Sequence, residues 1–189
     1  DATTFPENTI ESIQAALSKK ATGVEIDLFF EEKTGKFIVA HDWPEKKGNV
    51  LYLEEVFSNF PHVNFWLDLK NITMANSNGC LKRLDTLSGT YKNKKRLLIE
   101  STKYKPLAVL AKNQYYTSLW TGLSNSITSL PLAIYLRIVI SLKGISAVST
   151  DANHYNWMFS SRMLFYKRCG IKVYFISINN LHINIGSRS

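Results

Sequence analysis

Gly23-Val24-Glu25-Ile26-Asp27-Leu28-Phe29-Phe30, a Lys33-Thr34-Gly35 turn, then Phe37-Ile38-Val39-Ala40-His41-Asp42: this stretch decides how the chain is read. Its first eight residues have the pattern of a strand. Val24, Ile26 and Leu28 fall on one face and Glu25 and Asp27 on the other, because strand side chains alternate. Two carboxylates spaced this way have backbones about 7 Å apart, so both can reach one hard cation. The turn and a second short strand, Phe37–His41, bring His41 nearby. A metal and a histidine suffice to start phosphoryl-transfer or hydrolytic chemistry. The plainer reading of the same residues is a half-exposed strand with solvated carboxylates and a histidine capping a strand end.

Upstream, residues 4–19 read as one helix. Thr4 is an N-cap with Glu7 at the capping-box spacing, Pro6 is tolerated in the first turn, and Ile10, Ile13 and Leu17 share a face. Glu7 and Asn8 read as devices that fix the helix start and its loop. Downstream, after a loop over 42–50, come a short helix at 53–60 and a second strand at 63–70. In that strand Leu67 and Leu69 face one way, and Trp66, Asp68 and Lys70 the other. A polar loop at 71–80 leads to a helix at 80–87 that ends near Gly89. Strands at 96–101, 115–121, 145–150 and 172–179 then alternate with helices at 106–112, 126–142 and 155–169, the last closed by Gly170.

Alternation of strand and helix predicts a parallel sheet with helical crossovers, an α/β fold in a single domain over residues 1–189. Three features favour a (β/α)8 TIM barrel over an open doubly wound sheet. No glycine-rich phosphate loop follows any strand. The polar residues fall late in their strands: Glu25 and Asp27, Asp68 and Lys70, Glu100, Asp151, Asn179. In a barrel those ends carry function, and several strands contribute. The barrel is expected to be incomplete: six strands and one side strand are legible, with the first and last barrel strands not evident. The sequence is therefore expected to be a piece cut at both ends, or one with an altered C-terminus.

Composition sets outer limits. The 189 residues, 45% hydrophobic and 12% aromatic, describe a globular chain with a sizeable core. The net charge of +8 suits anionic ligands. Beyond Lys92–Arg96 there is no dense basic block, so nucleic acid is not expected as a partner. Leu130–Leu142, the most apolar stretch, is too short to span a bilayer and carries Arg137, so no transmembrane segment is expected. Cys80 and Cys169 lack metal-ligand spacing and read as idle thiols, a disulfide between them remaining open. Asn71-Ile72-Thr73 matches a glycosylation sequon, a pattern usually unused. The compartment is expected to be cytoplasmic, or periplasmic or extracellular if a signal peptide precedes Asp1.

Phe5-Pro6-Glu7-Asn8-Thr9, Gly23-Val24-Glu25-Ile26-Asp27 and His41-Asp42, in that order and spacing, resemble the glycerophosphodiester phosphodiesterase family of TIM-barrel phosphodiesterases. The resemblance implies metal-dependent hydrolysis of a small-molecule glycerophosphodiester to glycerol 3-phosphate and an alcohol. It implies one divalent cation, Ca²⁺ or Mg²⁺, on Glu25, Asp27 and Asp68. Lys70 matches the family's phosphate-contacting lysine, and His41 the second of its two catalytic histidines. Asp68 stands where the family more often has Glu. Ile176-Ser177-Ile178-Asn179 resembles the family's W-T-V-N strand with Ile176 in place of the tryptophan. The family's first histidine belongs to a His-Arg pair ahead of Pro6, which this sequence does not contain, so very low turnover is expected of these residues alone. Glu100 and Trp120 are further substrate-side candidates, against an exposed strand end for Glu100 and a core position for Trp120. Asp68-Leu69-Lys70 also resembles the sphingomyelinase D-like branch of the same superfamily. From another class, a phosphate-ligand binder that has lost an acid–base partner would carry the same metal residues.

Overall fold

Strand β1 (Gly23–Glu31) forms where aliphatic and aromatic residues alternate with polar ones, and its burial follows the alternation. Val24, Ile26, Leu28 and Phe30 are buried, while Glu25, Asp27, Phe29 and Glu31 are half-buried. The chain reverses through Gly35, which takes φ +66° and donates its amide to the Glu31 carbonyl at 2.8 Å. Strand β2 (Lys36–Val39) then pairs antiparallel with β1, Leu28 opposite Val39. On the other side of β1 lies β3 (Asn64–Leu69), parallel, with Asp27 opposite Asp68. Gly23 permits that approach, since a Cβ there would lie 2.9 Å from the Asn64 carbonyl oxygen.

The computed structural model describes residues 5–44, 50–122, 130–151 and 172–176. Helix α1 (Ile10–Ser18) precedes β1, and α2 (Leu53–Asn59) lies between β2 and β3. Then follow α3 (Ser77–Tyr91), β4 (Leu97–Ser101), α4 (Tyr104–Lys112), β5 (Tyr116–Trp120), α5 (Leu130–Lys143), β6 (Ala147–Asp151) and β7 (Lys172–Ile176). The sheet order is β2-β1-β3-β4-β5-β6-β7, every pair parallel except β1 with β2. From β1 to β7 each new parallel strand is added beside the previous one, with no reversal of direction. A doubly wound sheet reverses at a switch point, whereas a barrel does not. The described strands therefore form an arc of six barrel strands, an incomplete barrel flanked by the β2 side strand.

The two faces of the arc differ in chemistry. Val24, Ile26 and Leu28, Phe65, Leu67 and Leu69, Leu97 and Ile99, Leu119 and Val148 form one face. They pack with Leu53, Val56 and Phe57 of α2, Leu84 of α3, Leu107 and Leu110 of α4 and Ile140 of α5. Full burial of one such side chain is worth about 1.5–3 kcal/mol. With more than a dozen side chains contributing, this helix-covered face supplies the stability, and the opposite face is free to hold polar groups.

Several expectations shift. The first helix starts at Ile10 and not at residue 4. Its cap is Thr9, whose Oγ1 accepts from the Ser12 amide at 3.1 Å while the Ser12 hydroxyl receives the Thr9 amide. Asn8 just before it takes φ +58°, which a helix interior excludes. The expected Thr4–Glu7 capping box is thus replaced by a Thr9–Ser12 one. The third helix starts at Ser77 and runs through Gly89, reaching Lys92 in the left-handed region at φ +51°. Gly89 faces open space and costs the helix only its modest propensity penalty. The helix expected at 126–142 is described from Leu130 to Lys143. The helix expected at 155–169 and the end of the last strand, 177–179, lie outside the described residues.

The Asn71 side chain is committed to structure. Its amide donates to the Phe30 carbonyl at 2.9 Å and its oxygen accepts the Phe30 amide at 2.8 Å, so the sequon's acceptor nitrogen is tied into the fold. Cys80 is a free, buried thiol that burial pushes up to about 12, the idle state expected of it. Cys169 lies outside the described residues. Among the described residues no helix is long and apolar enough to cross a membrane.

Candidate active site

The register of β1 on β3 determines the site. Glu25 and Asp27 project from one face of β1, and Asp68 is level with Asp27 on the neighbouring strand. One carboxylate oxygen from each of Glu25, Asp27 and Asp68 lies within 4.8 Å of the others. Lys70, the residue after β3, lays its ammonium between two of them, 2.6 Å from Asp27 Oδ1 and 2.5 Å from Asp68 Oδ2. Its amide also donates to the Leu28 carbonyl at 3.0 Å, which carries the β1–β3 pairing one step past the strand end.

Asn8 secures Asp27 from the other side. Its Nδ2 donates to Asp27 Oδ2 at 2.9 Å, and its Oδ1 accepts the Asp27 amide at 2.9 Å. The left-handed turn at Asn8 aims this side chain back at β1, and asparagine tolerates that turn better than most residues. From sequence alone, Asn8 is a loop-fixing residue. It fixes the loop, and it also anchors a site carboxylate across 19 residues of chain.

The electrostatics are those of a site short of positive charge. Three carboxylates share one ammonium. Burial, then the charges of Asp27 and Asp68, push Glu25 up from 4.5 to about 7, against the opposing pull of Lys70. Burial also raises Asp68, with Lys70 again opposing. Lys70 itself is held above its ordinary value: burial pulls it down, but its bonds to Asp27 and Asp68 outweigh that. A divalent ion would satisfy this arrangement. The donors are hard oxygens, they converge, and they carry more negative charge than Lys70 neutralises.

His41 sits at the rim of this cluster. Its side chain is 63% exposed, and Nδ1 lies 3.1 Å from Asp42 Oδ2. The Asp42 hydrogen bond, then the Asp42 and Asp27 charges, raise its affinity for a proton. Ala40, the residue before it, donates its amide to the Asp27 carbonyl at 3.2 Å, which ties this end of the β2 segment to the strand that carries Glu25 and Asp27.

Glu100 is not the exposed strand end that was one reading of it. It is 1% exposed, beside Asp68 in the β3–β4 register. It accepts a hydrogen bond from the Ser149 hydroxyl, which in turn accepts from Ser118 Oγ at 3.0 Å. Burial raises it to about 8, with the Ser149 bond opposing and the Asp68 and Glu25 charges adding. Its carboxyl therefore belongs to the floor of the arc, not to its rim. Trp120, half-buried at the end of β5, follows Ser118 by two residues on the same face. Its ring would meet a Cβ placed on Gly122 at 3.3 Å. One feature of the mouth escaped the sequence reading: Phe29, on the Glu25–Asp27 face, meets Trp43 edge-on with ring centroids 5.6 Å apart. Strand alternation would have placed Phe29 on that face, but nothing in the sequence pairs it with Trp43.

Comparison with solved structures agrees with this architecture. A glycerophosphodiester phosphodiesterase from Parabacteroides distasonis superposes with a TM-score of 0.67 at 13% identity, over 92% of this chain and 78% of that one. One from Agrobacterium tumefaciens gives 0.64 at 14% identity, over 90% and 80%. The chain has the glycerophosphodiester phosphodiesterase fold. A Galdieria sulphuraria protein bearing the same name gives 0.67 at 19% identity, over 91% and 78%. The sequence matches no protein-family model and no curated protein.

Proposed function

We propose that this chain carries out metal-dependent hydrolysis of small glycerophosphodiesters, giving glycerol 3-phosphate and an alcohol. The convergence of Glu25, Asp27 and Asp68 to within 4.8 Å, with Lys70 beside them, carries the reading. These three carboxylates would hold one Ca²⁺ or Mg²⁺ ion, which when bound supplies positive charge to the phosphate oxygens. Lys70 supplies a second, mobile positive charge on a flexible stem, suited to leave its aspartates for a phosphate oxygen. Asn8 keeps Asp27 from following the substrate. Hydrolysis breaks the bond from phosphorus to the alcohol oxygen and adds water. His41, whose affinity for a proton Asp42 raises, gives a proton to that departing oxygen. Because Asp42 engages Nδ1, the other ring nitrogen is the one left to give the proton.

The test is release of glycerol 3-phosphate from glycerophosphocholine with Ca²⁺ or Mg²⁺ present. The expected result is ion-dependent release at very low turnover, with a rise in melting temperature on adding the same ion. No thermal response to either ion would defeat the metal reading. Release of free choline with no glycerol 3-phosphate from a lysophospholipid alone would point instead to a sphingomyelinase D-like reaction. Ion binding without turnover would leave a phosphate-ligand binder.

A further inference from the structure

Helix α5 differs from the other described helices in what it turns outward. Leu136 and Ile140 pack toward the sheet. On the opposite side Ile134, Ile138 and Leu142, spaced by four residues, form one stripe along the helix, with Tyr135 beside it. All four are at least half exposed, Ile138 at 53% and Leu142 at 78%. By contrast, α1 turns Glu11, Gln14 and Ser18 to solvent, and α3 turns Lys82, Asp85 and Thr86. An apolar stripe standing out on a surface marks a place where something else docks.

The charges around the stripe indicate what docks. Between Glu100 and Asp151 the sequence holds no Asp or Glu and five basic residues, Lys103, Lys105, Lys112, Arg137 and Lys143. Helices α4 and α5 each return from the end of one parallel strand to the start of the next, so they run side by side in the same direction. The Tyr104 and Tyr135 hydroxyls meet between them at 3.2 Å. Exposed Lys103 and Lys105 therefore stand at the mouth end of the stripe. Exposed Lys112 and Lys143, each the last residue of its helix, stand at the far end. A second copy of this chain would bring these same lysines face to face, a like-charge contact that opposes pairing. An anionic lipid surface suits both features: its headgroups meet the lysines, and the acyl boundary beneath takes the aliphatic side chains. The 14 residues of α5 measure about 21 Å, short of the roughly 30 Å hydrocarbon core, so the helix lies along the surface and does not cross it. We propose that the outer face of α5, with Ile134, Ile138, Leu142 and the flanking lysines, docks the protein on anionic membranes. This face lies on the helix-covered side of the arc, and Glu25, Asp27 and Asp68 lie on the other, so the docking does not depend on the reaction.

The test is co-sedimentation of the intact protein with vesicles of phosphatidylcholine alone and of phosphatidylcholine mixed with phosphatidylserine. The mixed vesicles should carry the protein down and the neutral ones should not. Salt at about 1 M, where the screening length falls to about 3 Å, should release most of it. Ile138→Ser should lower the partition coefficient about tenfold, the scale of one half-buried aliphatic side chain. Lys105→Gln and Lys143→Gln should lower it about fivefold each, the scale of one lysine at a charged surface. Ile138→Leu and Lys143→Arg should bind like wild type. All five variants should melt close to wild type, as exposed substitutions do. Should Ile138→Ser fold poorly, Leu142→Ser, at the most exposed position of the stripe, takes its place with the same loss expected. Equal pelleting with neutral and mixed vesicles, no pelleting with either, or full binding by the serine variant overturns the proposal. So does a dimer in analytical ultracentrifugation that the serine variant dissolves, which makes a second copy the occupant. A marked fall in the melting temperature of both serine variants, with no vesicle binding by wild type, also overturns it and makes another part of this chain the cover of the stripe.

Discussion

At the β1–β3 edge of the arc, Glu25, Asp27 and Asp68 crowd within 4.8 Å and are partly open to solvent, with Lys70 between two of them. One strand further along the same face, Glu100 is shut in at 1% exposure and bonded to Ser149. Both places hold carboxylates that burial raises, Glu25 to about 7 and Glu100 to about 8. The difference lies in what surrounds them. The first cluster has several anions, too little cation and an open mouth, so an added ion would relieve it. The second has one acid and hydroxyl neighbours, so a proton is enough. The same residue type is open among like charges in one place and sealed among hydroxyls in the other, and accessibility with neighbouring charge sets what each could bind.

The comparison breaks most sharply at the cluster. Glu25→Gln, or His41→Ala at its rim, should lower kcat at least 10²-fold, the scale for losing electrostatic or acid–base help. Glu25→Gln should also remove the divalent-ion shift in melting temperature, whereas His41→Ala should keep it. An unaffected kcat in both would remove the site. Acid should act next most strongly. On the proposed reading the ion needs Glu25 ionised, and burial with neighbouring carboxylates raises Glu25 from 4.5 to about 7 in the folded protein. Below about pH 7 the affinity for Ca²⁺ or Mg²⁺ should therefore fall toward tenfold per unit, a slope readable from ion titrations at stepped pH. A flat profile from pH 5 to 8 would show that Glu25 is not a ligand.

The sequence reading reached the cluster and stopped short of its supports, for a physical reason. Strand alternation places Glu25 with Asp27 and Asp68 with Lys70 on shared faces, and register then follows from two strands pairing in parallel. Hydrogen bonds made across long sequence separations have no such local period. Asn8 reaching Asp27 depends on a left-handed turn, and the helical reading of residues 4–9 concealed it. A capping box was expected in the right neighbourhood, yet Thr9–Ser12 won over Thr4–Glu7 because Asn8 cannot be both helical and aimed at β1. Glu100 was equally ambiguous, since a polar residue late in a strand looks the same whether the strand end is open or covered. Its cover comes from Ser149, 49 residues away.

Asn8→Ala sharpens the contrast between the cluster and its support. It removes two hydrogen bonds to Asp27 without touching a charge. Each is worth about 1 kcal/mol net, so divalent-ion affinity should drop by at most about thirtyfold while the ion requirement persists. Calorimetric ion titration reads this directly. Complete loss of binding would make Asn8 a ligand and not a support.

Glu100→Gln is expected to have the smallest effect, and its sign is informative. A carboxyl raised from 4.5 unfolded to about 8 folded stays protonated in the native state while it ionises in the unfolded chain. Its contribution to stability is therefore fullest below pH 4.5 and is lost as pH rises toward 8. Gln keeps the shape and still accepts the Ser149 hydroxyl, but has no proton to lose. The variant should match wild type near pH 5 and be the more stable of the two at pH 8, as denaturant melts at the two values would show. Its ion affinity should stay close to wild type. If the variant instead bound Ca²⁺ or Mg²⁺ much more weakly, Glu100 would belong with Glu25, Asp27 and Asp68, and the division between a ligand-binding edge and a proton-satisfied floor would fall.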